Sequence, residues 1–546
     1  MTIRWPRVDM HGEVMRETDD ILGPVVTEER TFEVRVSEET RADFHIGTQL
    51  AALNHPGRVR PAKYDPRGRH SPVYLSPRQW RTMVRHDREQ AEGLVRDHCI
   101  VLLGFSQYSG PDGLDLEPEG ESIGSDHTGS EPPEPSPWLV PSEATLHQLF
   151  HHLRLSIETE RPVVDVTGRG SDSQARDQGT KMCKHDKLAN MFDPRKFMNF
   201  LVLQGIHSAI PEELRSFIDT DIAANDGFHF QCADCGKPSW VIAAQDGVCS
   251  RGHADTGGCA TCVHLLAGLK LWAVRVGTSM AREEDFIGDD PNLEDWEVIV
   301  LRPGDKLLMP PRTAHAVYSL TRSVARGSVY YLANSYDHTL FGMLEEHVAG
   351  LAITNTADPA HTGHLFRLWM YYQRLWEVNE ARPRPSDWPP TLPTARSLAG
   401  LTLILEHLKS LTPSMPYSPT KPPMWPDWYK HDRRCTRLAL NNWLANVKAT
   451  ERTSPAAVAF LSARTELQGE YKLRLPPKSE AHRRPRDLWD SKKWRQAFKE
   501  GRVFYLTQED EDEADREWEE ECEIARARSK NKKVKKADPD DESLLH

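Results

Sequence analysis

The chain has 546 residues, of which 38% are hydrophobic and 27% charged, with 39 prolines and a net charge of −12. That length suggests roughly two to four domains, or one domain with large additions. The apolar fraction is enough for one good core but low for a fully globular chain. The negative balance excludes a general polyanion binder, so direct nucleic-acid binding is not expected. The start, MTIRWPRVDM, lacks the apolar stretch of a signal peptide. No apolar run approaches the ~20 residues of a membrane helix, so an intracellular protein without a membrane partner is expected. The nine cysteines are an odd number in a long chain, which fits reduced thiols better than a secreted disulfide framework.

No repeat period is visible. Residues 1–145 read as a heterogeneous N-terminal region. Thr31–Val36 alternates like a short strand, and His98–Phe105 is an apolar run of strand length. Between them Arg58–His70 is basic and rich in Pro and Gly, as a loop would be. Asp112–Glu134 carries eight carboxylates and no Lys or Arg. It lies in an acidic segment, near 107–137, that is expected to be disordered because it has too little apolar area to offset its ordering entropy.

Ala144–Glu158 and Asp193–Phe217 show helical spacing. The texture then changes. Trp240–Ala244, Cys262–Leu266, Leu269–Val276, Trp296–Leu301, Lys306–Met309, Ala316–Leu320 and Ser328–Ala333 are short β-like runs separated by Gly, Pro and Asp. Such punctuation predicts a sandwich or barrel. Leu365–Val378 carries a helical stripe that includes Trp369, Tyr372 and Trp376, and reads as core. Leu398–Leu411 and Thr436–Val447 are similar, with a Pro-rich connector at Thr412–Trp428. From Tyr471 onward the chain is polar, with an acidic run at Glu509–Glu523 and a basic cluster, KNKKVKK, at Lys530–Lys536. That cluster reads equally as a nuclear localisation signal or as a solvated tail.

The sharpest local pattern is RGHADTGGCATCVHLLAGLKLWAV, Arg251–Val274. In an extended segment, residues two apart share a face, so His253 and Asp255 present an imidazole and a carboxylate side by side. A third ligand must come from a distant strand that folds back. His315 is the candidate: it follows a turn at Arg302–Asp305 and the stiff Pro310–Pro311 approach. Two His and one carboxylate on one face leave three positions open, the arrangement that non-haem Fe(II) uses for a bidentate cosubstrate and O2. The cysteines offer a competing site. Cys232 and Cys235, with Cys249, could bind zinc at the rim. Cys259 and Cys262 fall three apart in a would-be strand, on opposite faces, and read as small buried apolar residues.

These motifs resemble the Jumonji C (JmjC) family of Fe(II)- and 2-oxoglutarate-dependent oxygenases, over about Trp240–Leu340, roughly a fifth of the chain. HAD is similar to the family's His-x-Asp/Glu motif. GLKLW is similar to the following strand, and LRPGDKLLMPPRTAHAV to the strand pair that ends in the second metal histidine. The resemblance implies an α+β fold with a double-stranded β-helix (jelly-roll, cupin-like) core at about 225–345, inside a JmjC-like domain at 146–350. Flanking helices, a helical region at 351–470 and a charged, partly disordered tail at 471–546 complete it.

The resemblance also implies His253, Asp255 and His315 as catalytic Fe(II) ligands, and Lys270, 17 residues after His253, as the cation for the distal carboxylate of 2-oxoglutarate. Ser250 would add a hydroxyl to that carboxylate. The implied activity is O2-dependent hydroxylation or N-methyl-lysine demethylation of a protein substrate, with a histone as one candidate, in the nucleus or the cytoplasm. The competing expectations are a non-catalytic JmjC-like chromatin or protein interaction module and a zinc-bound structural domain.

Overall fold

A computed structural model of the chain describes residues 2–6, 27–31, 72–104, 138–165, 182–193, 198–204, 211, 239–275, 296–349, 360–378, 393–411, 427–452 and 454–473. The basic loop Arg58–His70, the acidic stretch Asp112–Glu134, Cys232, Cys235 and the charge blocks beyond residue 473 lie outside the described residues.

The first strands, β1 (Thr2–Pro6) and β2 (Thr27–Thr31), form an antiparallel pair of their own. Then come β3 (Val73–Leu75), α1 (Pro77–His86), α2 (Arg88–Asp97), β4 (Ile100–Leu102) and α3 (Glu143–His152). The sequence reading left α1 out, because it has few apolar residues. Its start is nonetheless well defined. The Ser76 hydroxyl accepts the Gln79 N–H at 3.2 Å, and the Gln79 side chain accepts the Ser76 N–H at 2.8 Å. This reciprocal cap, with Pro77 opening the first turn, nucleates the helix. Trp80, Met83 and Val84 then anchor one face.

The remaining strands are β5 (Glu160–Asp165), β6 (Met182–Lys187), β7 (Met198–Gln204), β8 (Ser239–Ala244), β9 (Cys249–His253), β10 (Ala260–Ala267), β11 (Lys270–Arg275), β12 (Trp296–Leu301), β13 (Lys306–Met309), β14 (His315–Ser319) and β15 (Ser323–Tyr330). The helices α4 (Tyr336–Ala349), α5 (Ala360–Val378), α6 (Ala395–Leu411), α7 (Asp427–Thr450) and α8 (Pro455–Leu473) follow. The fold is α+β. Among the described residues no helix is long and apolar enough to cross a membrane.

A nine-stranded sheet has the order β3-β4-β13-β10-β15-β8-β7-β5-β6, and a four-stranded sheet the order β12-β11-β14-β9. All pairings are antiparallel except β3 with β4. From β8 to β15 the chain alternates between the sheets, large, small, large, small, small, large, small, large. The N-terminal stretch is part of this architecture, since β4 pairs with β13 and extends the large sheet.

Two facing layers of side chains explain the alternation. Val263, Leu265, Leu307 and Met309 of the large sheet meet Trp272, Val274, Ile299, Leu301 and Val317 of the small one. The outer face of the large sheet is covered in two places. Ala260, Cys262 and Leu308 lie under α1 and α2, and Leu266, Val241 and Val324 lie under α3. Hence all eight residues of β10 are buried, which is why it reads as a continuous apolar run. Gly268, with φ +87°, turns the chain directly into β11. A further cluster joins α4 to α8, with Trp369 and Tyr372 fully inside it as expected.

Two of the segments assigned from the sequence are corrected. Met198–Gln204, read as helix, is strand β7, held between β8 and β5. The last strand of the large sheet in chain order is Ser323–Tyr330 rather than Ser328–Ala333. Its Ser, Arg and Gly residues disguise a strand buried along its whole length. A Cβ at Gly327 would lie 2.0 Å from the Trp240 ring, so the strand requires glycine there.

Candidate metal centre

The site forms where the small sheet brings together two strands far apart in sequence. His253 ends β9 and His315 begins β14, and the two are register partners. Directly opposed residues of an antiparallel pair share a face, so the imidazoles lie against one another, with ring centroids 4.3 Å apart. Asp255 follows two residues on, in extended backbone (φ −68°, ψ 145°), and caps a short 3-10 turn at Thr256–Gly258.

The ligand atoms of His253, Asp255 and His315 all lie within 4.8 Å of one another. Ligands about 2.0–2.2 Å from one ion lie roughly 3–4 Å from one another, so the three side chains are close enough to share a cation after small rotamer adjustments. Both histidines are buried and Asp255 is half-buried. The three could hold a metal ion.

Surrounding groups orient the donors. The His315 Nδ1 lies 3.0 Å from the Thr313 carbonyl oxygen. Only a protonated Nδ1 donates to a carbonyl, which leaves Nε2 with the lone pair a metal needs. Trp272 stacks on the same ring at 5.6 Å and 20°. Thr261, on the inner face of β10, donates its hydroxyl to Oδ2 of Asp255, and Oδ1 remains for a cation.

Lys270 is 4% exposed and donates to Ser319 Oγ at 3.1 Å. The register is Lys270 with Ser319, Trp272 with Val317, and Val274 with His315, so Lys270 and His315 face the same interior. Four residues of strand put roughly 13 Å between their rows. Ser250 pairs with Val317, in the intermediate row, and its hydroxyl accepts from Asn199 Nδ2 at 3.2 Å. The hydroxyl bonded to Lys270 is that of Ser319, which the sequence reading missed. The period of two from His315 through Val317 to Ser319 was the available signal. Thr261, Thr313 and Asn199 were missed as well, and Asn199 lay in the segment read as helix.

The remaining cysteine expectations fit the geometry. Cys259 and Cys262 are buried in different clusters and form no disulfide. Burial pushes the Cys262 thiol up to about 12, so it stays a neutral, small core side chain. The donors of the triad are therefore nitrogen and oxygen, a set that suits divalent iron with room for further oxygen ligands. No protein-family model matches the chain, and neither does any curated protein.

Proposed function

We propose that this chain is an Fe(II)- and 2-oxoglutarate-dependent oxygenase of the Jumonji C type, acting on a protein substrate. The observation that carries the reading is the convergence of His253, Asp255 and His315 at one end of an interior that has a buried lysine, Lys270, on the same face. The strand alternation between two sheets from β8 to β15 supports a double-stranded β-helix as the scaffold.

In this reading His253, Asp255 and His315 would hold Fe(II). The gap between them and Lys270 is one that a five-carbon dicarboxylate and a lysine side chain fill together. Bound there, Fe(II) and 2-oxoglutarate would supply the chemistry: O2 and the keto acid are consumed, succinate and CO2 leave, and one oxygen atom enters a substrate C–H bond. Lys270 neutralises the far carboxylate in a setting where an unpaired charge is costly. Trp272 and Val317 exclude water between the two ends. Hydroxylation of an N-methyl group gives a hemiaminal that releases formaldehyde, so hydroxylase and demethylase outcomes share this site. A histone is the candidate substrate, and the Lys530–Lys536 cluster supports a nuclear location.

The test is succinate release with Fe(II), 2-oxoglutarate, O2 and a panel of methylated histone peptides. The wild type should turn over 2-oxoglutarate, with stimulation by the true substrate. His253→Ala and Asp255→Ala should abolish turnover while the circular dichroism spectrum stays native. Undiminished succinate release in either variant sinks the assignment.

A further inference from the structure

Two neighbouring carboxylates on α4 reach the two separate loops that carry the metal ligands. Glu346 is 2% exposed. Its Oε1 accepts the Thr256 hydroxyl at 2.6 Å, and its Oε2 accepts the Gly257 N–H at 2.7 Å. Thr256 is the residue after Asp255. Two turns earlier on the helix, the Thr339 hydroxyl donates to the Gly258 carbonyl at 2.9 Å. The Tyr331 hydroxyl donates to the Gly257 carbonyl at 3.4 Å. The turn after Asp255 therefore lies directly on α4. Gly258 has φ +62°, and a Cβ there would come 2.4 Å from the Thr339 carbonyl oxygen.

Glu345, 4% exposed, grips the other loop. It takes the Arg312 Nη2 at 2.8 Å and Nε at 3.1 Å. Arg312 stands three residues before His315, with φ +69°, and its guanidinium lies over the Phe341 ring at 5.9 Å. A left-handed arginine is a strained conformation that the surroundings must impose. Buried carboxylates are expensive unless fully matched, and apolar contacts alone would attach a helix to two loops. What these two acids add is direction.

We propose that Glu346 and Glu345 are positioning residues of the metal centre, through which α4 sets Asp255 against His315. The inference deepens the metal-centre reading and rests on it. Glu346 fixes the backbone from which the Asp255 carboxylate projects. Glu345 fixes the approach to His315. Because the two acids are adjacent on one rigid helix, the spacing of the two loops is set by the helix rather than by the small sheet alone.

The test is calorimetric titration of the full chain with Mn(II), together with the visible spectrum of its Co(II) form. The wild type should bind one ion, and His253→Ala should not. Glu346→Ala should weaken Mn(II) by about 10- to 100-fold and shift the Co(II) bands. Glu346→Gln should restore both readouts, because its amide can accept from Gly257 and donate to the Thr256 oxygen. If Glu346→Ala does not fold, Thr256→Val carries the same expectation, with a several-fold loss. Wild-type affinity and spectrum in a folded Glu346→Ala or Thr256→Val overturn the proposal. A loss in Glu346→Gln as large as in Glu346→Ala overturns it too. Failure of the wild type to bind metal would instead overturn the metal centre itself, and the positioning role with it.

Discussion

Lys270→Met separates a cosubstrate lysine from a structural one. Methionine keeps the length and volume of the side chain and removes its charge. In the folded chain Lys270 is 4% exposed, and one of its hydrogen bonds goes to Ser319 Oγ. Holding such a charge costs several kcal/mol of desolvation, and apolar replacements of buried charges are often neutral or stabilising by about 1–4 kcal/mol. The thermal midpoint of Lys270→Met should therefore equal or exceed that of the wild type.

Binding of 2-oxoglutarate should move the other way. Leaving its distal carboxylate buried without a cation costs about 3–5 kcal/mol, which is roughly a hundred- to several-thousand-fold in Kd. Metal affinity should hold or rise, because a positive charge roughly 13 Å along the strand opposes a dication by on the order of 1 kcal/mol. Calorimetric titrations with Mn(II), and then with 2-oxoglutarate, read the two constants separately. Unchanged 2-oxoglutarate affinity, or equal loss of metal and 2-oxoglutarate, would refute the reasoning.

Three other outcomes are expected. Thr261→Val removes the hydroxyl that orients Asp255 and should lower Mn(II) affinity by about tenfold, with little change in thermal midpoint. Gly327→Ala drives a methyl into the Trp240 ring and should cost about 1–3 kcal/mol by denaturant titration. His264 accepts a hydrogen bond from Arg326 Nε at 3.2 Å. Burial, with Lys306 and Arg326 alongside, holds its imidazole well below the usual range. Below pH about 6.5 the unfolded chain takes up a proton that the folded chain refuses, so stability falls by up to about 1.4 kcal/mol per pH unit. His264→Gln should flatten that acid limb, and an unchanged profile would count against the assignment.

The legible parts of the chain were those where local pattern and tertiary position agree. WEVIVL and KLLM became β12 and β13 at the predicted bounds, because turns isolate them and burial favours them. MNFLVLQ has apolar residues at helical spacing, yet a place between two strands overrides that preference. In β15 the buried Arg326 and the obligatory Gly327 look like loop residues until their partners are known. At the site, His253, Asp255 and His315 were visible because the ligand chemistry restricts residue type and spacing. Thr261, Ser319 and Glu346 were not, because a hydroxyl or an acid acquires such a role only through what folding places beside it. Glu346 lies 90 residues from Thr256 in the chain.

The register partnership of His253 with His315 has a bearing on how the protein is made. The strands β10 to β13 lie between the two histidines, so a nascent chain ending before His315 lacks one of the three residues that could hold a metal ion. Closing so long a loop is paid for in entropy before any ligand bond forms. The α4 contacts arrive later still, with Glu345 and Glu346. In the proposed centre, metal capture would thereby wait until synthesis has passed β14 and α4.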